Sequence, residues 1–200
     1  PVLAIHPVDK EAGRAIFRRY HADGAEPVVG ISVRNWQHET RFKDVMAEVA
    51  DRIVRELSAR VVFLPMQFPE DVHAAESIAE RTHEPCTVLK DEYTTSEFLS
   101  LVGNMDLMLA IRLHALIFAG VMGVPMIGVS YDPKIDRFLS SIGEKPVGSL
   151  DTVTADELMA EIRRKWNDKA VFRKRNAELL GKLRDLAARN AELALQLIGH

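Results

Sequence analysis

Between Pro27 and Trp166 short β-branched runs alternate with amphipathic stretches, strand then helix, without interruption. This alternation constrains the chain more than any other feature, because parallel neighbours need a crossover of a dozen residues or more, and a helix usually supplies it. The runs 27–33, 60–64, 86–89, 106–111 and 125–129 read as five strands, and Pro146-Val-Gly148 reads as a marginal sixth. Between them, 42–57 carries Val45, Met46, Val49, Ile53, Val54 and Leu57 on one helical face. Pro69 opens a helix over 69–81, since a missing N–H costs nothing at a helix start, and Thr95-Ser96-Glu97 is expected to cap the next, through Val102. The apolar stretch 113–122 stops at Gly123, Lys134 to Ser141 is helical, and Thr154 caps a helix to Trp166.

Six such units predict an α/β fold, a Rossmann-like doubly wound parallel sheet of about six strands in the order 3-2-1-4-5-6. Outside it, residues 1–26 hold an apolar run at Val2–Ile5 and a polar helical stretch from Glu11 to His21, and are expected to form a linker arm. Residues 167–200 carry Phe172, Leu179, Leu183, Leu186, Leu193 and Leu197 near helical spacing and predict a terminal amphipathic helix. Its leucine stripe either packs on the domain, the favoured reading, or lets Arg173-Lys174-Arg175 rest on anionic lipid as a peripheral membrane contact.

Charge and cysteine usage narrow the partners. Lys plus Arg is 26 against 29 Asp plus Glu, a net charge of −3, so no global positive field argues for nucleic acid. Cys86 is the only cysteine, which excludes an internal disulfide or a CxxC zinc site and suits a reducing, cytoplasmic setting. No apolar stretch approaches the ~18 residues of a spanning helix. His38, His73 and His83 show no ligand spacing, so no metal is expected, and without a GxGxxG, Walker or GxSxG motif the frame implies no nucleotide cofactor.

In a doubly wound sheet ligands sit outside the carboxyl ends of the strands, near the crevice between strands 1 and 4. Arg34-Asn35 follows strand 1, Arg112-Leu113-His114 follows strand 4, and Tyr131-Asp132-Pro133-Lys134 follows strand 5. An arginine at a helix start adds a bidentate donor to the partial positive charge there, a seat for phosphate or carboxylate. The competing reading makes His114 a hydrogen-bonded core histidine beside a structural arginine. Lys134 near a helix start opposes the helix dipole unless an anion sits there; the alternative is a surface turn with Asp132 as cap. Asp71, after Met66-Gln67 and strand 2, could meet a sugar hydroxyl, but helix capping is the simpler expectation.

Three segments in order, Gly30-Ile-Ser-Val-Arg-Asn-Trp36, Ile111-Arg-Leu-His-Ala-Leu-Ile-Phe-Ala119 and Gly123-Val-Pro-Met-Ile-Gly-Val-Ser-Tyr-Asp-Pro-Lys134, resemble the polysaccharide pyruvyl transferase family, nearest to its CsaB type acting on bacterial cell-wall polysaccharide. The resemblance runs from Val28 to Phe138. It implies a GT-B-like two-domain enzyme of which this chain, beginning at Pro1 rather than Met, is the carboxyl-terminal half, with an amino-terminal domain missing upstream. Residues 27–166 would then be the phosphoenolpyruvate-binding domain. The resemblance further implies that Arg112, His114 and Lys134 hold and activate phosphoenolpyruvate, with His114 as the acid–base catalyst. Leu113, Arg34, Asn35 and Tyr131, at the same strand ends, are expected as further substrate contacts, without Arg34 standing in for the anion-binding arginine that the family draws from its amino-terminal half. It implies no cofactor beyond that donor substrate. The acceptor would be an N-acetylmannosamine residue of a lipid-linked saccharide at the cytoplasmic membrane face. Two other readings remain at this stage: a nucleotide-sugar glycosyltransferase donor domain, and a non-catalytic sugar-binding module.

Overall fold

A computed structural model describes residues 6–35, 40–176, 178 and 181. Five strands, β1 (Val28–Ser32), β2 (Arg60–Phe63), β3 (Cys86–Val88), β4 (Leu107–Ala110) and β5 (Met126–Gly128), form one sheet in the order β3-β2-β1-β4-β5. Every pairing is parallel: Val29 faces Val61 on one side and Leu107 on the other, and Met108 faces Met126. The central strands are buried on both faces, as uninterrupted apolar runs such as Leu107-Met-Leu-Ala110 require.

The helices divide between those faces. Helices α2 (Thr40–Leu57), α3 (Glu70–Ala79) and α7 (Ala155–Asn167) cover one, burying Met46, Ile53, Ile78, Leu158 and Ile162 against Val29, Ile31 and Leu109. Helices α1 (Glu11–Arg19), α4 (Thr95–Gly103), α5 (Leu113–Val121) and α6 (Pro133–Ser141) cover the other, burying Phe17, Leu99, Leu116 and Leu139 against Val62 and Met108. The chain changes face on leaving β3, so the strand order reverses between β1 and β4 and opens the expected crevice there.

Three expectations are corrected. The sixth strand shrinks to a single parallel bridge between Ser130 and Ser149, flanked by hydrogen bonds from Val147 N to Gly128 O (3.0 Å) and Ser130 N to Gly148 O (2.8 Å). Leu150 N carries the ladder one bond further, to Ser130 O at 3.1 Å, while Pro146 has no N–H to extend it in the other direction. Helix α4 is capped by Thr94 rather than Thr95: the Thr94 hydroxyl accepts from Glu97 N while the Glu97 carboxylate accepts from Thr94 N, a complete capping box. The same device starts α7 at Thr154 and Glu157.

The third correction concerns the arm. Residues 11–22 do not stand off the domain: α1 lies along α4, with Ile16, Phe17 and Ala22 buried in the shared core. Gly13 permits the contact, because a Cβ there would lie 2.5 Å from the Ser100 carbonyl oxygen, and its N–H donates to Ser100 Oγ at 2.8 Å, out of water. The apolar run at Val2–Ile5 lies outside the described residues. Helical residues resume over 169–176, where Phe172 and Asn176 are buried and Asn176 Nδ2 donates to Gly120 O. Residues 169–176 pack on the domain through Phe172 and Asn176, while all five leucines of the stripe lie outside the described residues.

A buried ionic cluster fastens the same region. Lys165 Nζ donates to Met126 O at 2.5 Å and to Glu144 Oε2 at 2.7 Å, and Arg175 engages the other Glu144 oxygen. Burial pushes the Lys165 ammonium down to about 8, against the pull of Glu161. Among the described residues no helix is long and apolar enough to cross a membrane.

Candidate active site at the carboxyl edge of the sheet

Because all five strands are parallel, the residues that follow them gather along one edge. Arg112 is the N-cap position of α5, directly after β4, and contributes no side-chain cap, so Leu113 and His114 occupy the first two helical positions. Leu113 is half-buried against the core, and His114 is exposed with its ring 6.5 Å from that of Phe118. The alternative of a core histidine is therefore excluded. Helix α6 after β5 repeats the arrangement: Asp132 is the N-cap, its carboxylate accepts from Lys134 N at 2.8 Å, and Lys134 is exposed at the second helical position. His114 and Lys134 thus occupy equivalent places at the ends of neighbouring strands.

Two polar clasps cross this edge and interleave. Arg34, after β1, donates from Nη1 to Tyr131 Oη at 3.0 Å, with its guanidinium carbon 5.3 Å from the ring centroid, reaching over β4 to the turn after β5. Arg112, after β4, reaches the opposite way over β1 to the loop after β2. Its Nε donates to Asp71 Oδ2 at 2.9 Å, its Nη2 to Asp71 Oδ1 and to Gln67 Oε1 at 3.1 Å. Asn35 is exposed beside Arg34, and Trp36 lies outside the described residues.

Asp71 corrects the capping expectation. Its carboxylate turns back from the first turn of α3, accepting from Met66 N (3.1 Å) and Gln67 N (3.0 Å), and it is fully buried. The N-cap of α3 is Pro69, which makes no side-chain cap. Sequence reasoning placed Asp71 at the right edge but missed its partner, 41 residues away, though a buried-type acid and an arginine that both follow strands were the available signal. The same loop presents Phe68, half exposed. Beside the α6 turn, a cavity of about 710 Å³ is lined by Ser130, Tyr131, Asp132, Asp136, Arg137 and Asp151. Among the described residues no group of three or more His, Cys, Asp or Glu side chains is placed to hold a metal.

The ends of β1, β4 and β5 therefore bring to this edge the His114 imidazole, the exposed Lys134 ammonium, and the Arg34 and Arg112 guanidinium groups held by hydrogen bonds. These are the groups a small anion and a proton transfer call for. Residues 1–133 match the polysaccharide pyruvyl transferase family. The chain belongs to that family. The match takes in α1, the Arg34 and Arg112–His114 segments and Tyr131, and ends one residue before Lys134.

No curated protein matched this pyruvyl transferase family member. Among solved structures it is similar to the E. coli ADP-heptose lipopolysaccharide heptosyltransferase II, at TM-score 0.65 and 14% identity, over 82% of this chain and 53% of that one. It is also similar to S. aureus MnaA in a structure with UDP (TM-score 0.64, 10% identity, 85% of this chain and 44% of that one). The third is the carboxyl-terminal CMP-Kdo binding domain of WaaA from Acinetobacter baumannii, at TM-score 0.56 and 11% identity, over 85% of this chain and 96% of that domain. At such identities the likeness is one of fold, that of glycosyltransferases of the GT-B kind and of sugar epimerases. The chain spans about half the length of the heptosyltransferase and of MnaA.

Proposed function

We propose that this chain is the carboxyl-terminal, donor-binding half of a two-domain polysaccharide pyruvyl transferase that converts two saccharide hydroxyls into a cyclic pyruvate ketal, using phosphoenolpyruvate. The observation that carries the reading is the paired placement of His114 and Lys134 at the second position of helices α5 and α6, above adjacent parallel strands, with Arg112 at the foot of the first. Family membership supports the reaction class. The match in extent to a single nucleotide-sugar binding domain supports placement as one half of a cleft.

His114 as an imidazolium delivers a proton to the methylene carbon of the enol phosphate, leaving an oxocarbenium-like centre at C2 that still carries the phosphate oxygen. One saccharide hydroxyl adds to that carbon and returns its proton to the imidazole. A second hydroxyl then displaces phosphate, which carries away the remaining proton. Lys134 and the α5 start would balance the charge of the phosphate and carboxylate, with Arg112 donating hydrogen bonds and Arg34, Asn35, Tyr131 and Leu113 shaping the surroundings. The acceptor we favour is an N-acetylmannosamine unit of a lipid-linked, cell-wall saccharide, met at the inner face of the plasma membrane, as in the CsaB type that anchors surface-layer proteins.

The test is turnover by the full-length protein containing this chain, supplied with phosphoenolpyruvate and a lipid-linked N-acetylmannosamine disaccharide. The expected result is phosphate release in step with ketal appearance in the saccharide. Protection of the protein by UDP but not by phosphoenolpyruvate would replace the reading with a glycosyltransferase donor domain.

A further inference from the structure

We propose that Asp71 is a positioning residue for Arg112: its buried carboxylate fixes the guanidinium by one edge, so that the opposite nitrogen is presented to the anionic donor in a set orientation. The inference rests on the phosphoenolpyruvate reading of the site and deepens it.

Asp71 has no exposed surface, and its two oxygens accept four hydrogen bonds, two from the main chain of Met66 and Gln67 and two from Arg112. A guanidinium is planar and has five N–H groups in a rigid fork. With Nε and Nη2 both held by Asp71, and Nη2 also by Gln67, the nitrogen left away from that edge is Nη1, which neither residue engages. A long side chain that would otherwise sample many rotamers is held to one, so its immobilisation does not have to be met when the donor binds.

The pair has a second consequence. Asp71 brings a formal negative charge against Arg112, so Arg112 serves the site as a directed donor more than as a net cation. The charge of a dianionic ligand then falls to Lys134, whose side chain is exposed at the α6 start. Because the Asp71 carboxylate also holds Met66 N and Gln67 N, the loop after β2 and the start of α5 are tied together across β1. That loop presents Phe68 and Gln67 at the same edge.

The experiment is a double-mutant cycle in the full-length protein with Asp71→Asn and Arg112→Lys. It reads calorimetric affinity for phosphoenolpyruvate and for inorganic phosphate, with kcat and KM where the wild type turns over. Asp71→Asn keeps an acceptor for the loop amides but loses the bidentate, charge-assisted grip on Arg112. It should weaken phosphoenolpyruvate binding by about tenfold or more. In the Arg112→Lys background the same change should alter affinity by less than about twofold, because the group it positions is already gone. Multiplying penalties would assign Asp71 to the loop alone and overturn the proposal, as would wild-type affinity in Asp71→Asn. Should Asp71→Asn fail to fold, Asp71→Glu, which keeps the charge but moves the carboxylate by one methylene, carries the same expectation and the same coupling. A wild type that binds phosphoenolpyruvate yet makes no ketal would sink the functional reading while the binding cycle still decides Asp71. A wild type that binds neither phosphate nor phosphoenolpyruvate would overturn both.

Discussion

Substituting Gly13 by alanine distinguishes a docked helix from a tether by the sign of its effect. In an isolated helix alanine is favoured over glycine by about 0.5–1 kcal/mol, so on a free arm the change would stabilise α1. In the structure the new Cβ would lie 2.5 Å from Ser100 O and 2.7 Å from Leu101 N, both main-chain atoms that cannot swing aside. Ordinary contact begins near 3.4 Å, so α1 and α4 must separate by most of an ångström. That movement also stretches the buried bond from Gly13 N to Ser100 Oγ. Overpacking of this kind costs about 1–3 kcal/mol. The ceiling is the cost of letting α1 go, set by the burial of Ile16 and Phe17 at about 1.5–3 kcal/mol each. For a chain of this size each kcal/mol lowers Tm by about 2–4 °C. Thermal unfolding combined with amide hydrogen exchange should therefore show a lower Tm and faster exchange over residues 13–20, with β1 and β4 still protected. Ser100→Ala, which orphans the buried Gly13 N–H, should move both readouts the same way. An unchanged or raised Tm in Gly13→Ala, with unaltered exchange, would refute the packing argument.

His114→Ala in the full-length enzyme should lower kcat by about 10²–10⁴-fold without lowering Tm, since the ring is exposed and its loss opens no cavity; wild-type turnover would remove His114 from the chemistry. Lys134→Ala should raise KM for phosphoenolpyruvate while changing stability by less than about 0.5 kcal/mol, because the side chain is exposed. Asp132→Ala is the contrasting case, losing the cap of α6 and about 1 kcal/mol. For Lys165, burial lowers the folded pKa to about 8 from 10.5, so between those values the unfolded chain binds more protons. Stability from this group should rise as pH climbs from about 8 towards 10.5, by on the order of 1–3 kcal/mol, and Lys165→Met should flatten that rise in denaturant titrations.

What the sequence disclosed was periodic or local. Strand runs such as Leu107-Met-Leu-Ala110, the stripe of α2, the Thr154 cap and the Asp132-Pro133 start of α6 all announce themselves within a few residues, and all are where their pattern placed them. What stayed hidden depends on partners far along the chain. Gly13 meets Ser100 at a separation of 87 residues, and Asp71 meets Arg112 at 41, so neither periodicity nor spacing could display them. The polar face of α1 read as a tether because only two of its side chains, Ile16 and Phe17, are buried, and the close contact is made by Gly13, which contributes no hydrophobic signal. Register at the sheet edge was equally invisible: Pro146-Val-Gly148 has strand-like composition at one residue only. For the candidate site, the edge and its residue types were legible, whereas the neutralising partner of Arg112 and the Arg34–Tyr131 clasp were not.

The matched starts of α5 and α6 turn chain length into a ruler. From His114 to Lys134 the path runs down one nine-residue helix, through a tight turn at Gly123 and back up a three-residue strand, and it arrives one strand over at the same, second position of the next helix. An extra residue inside α5 would swing everything after it by about 100°, and one inside β5 would exchange the faces of the sheet. The interval between imidazole and ammonium is thus fixed by counting residues, and it can be altered by insertion or deletion without touching either group.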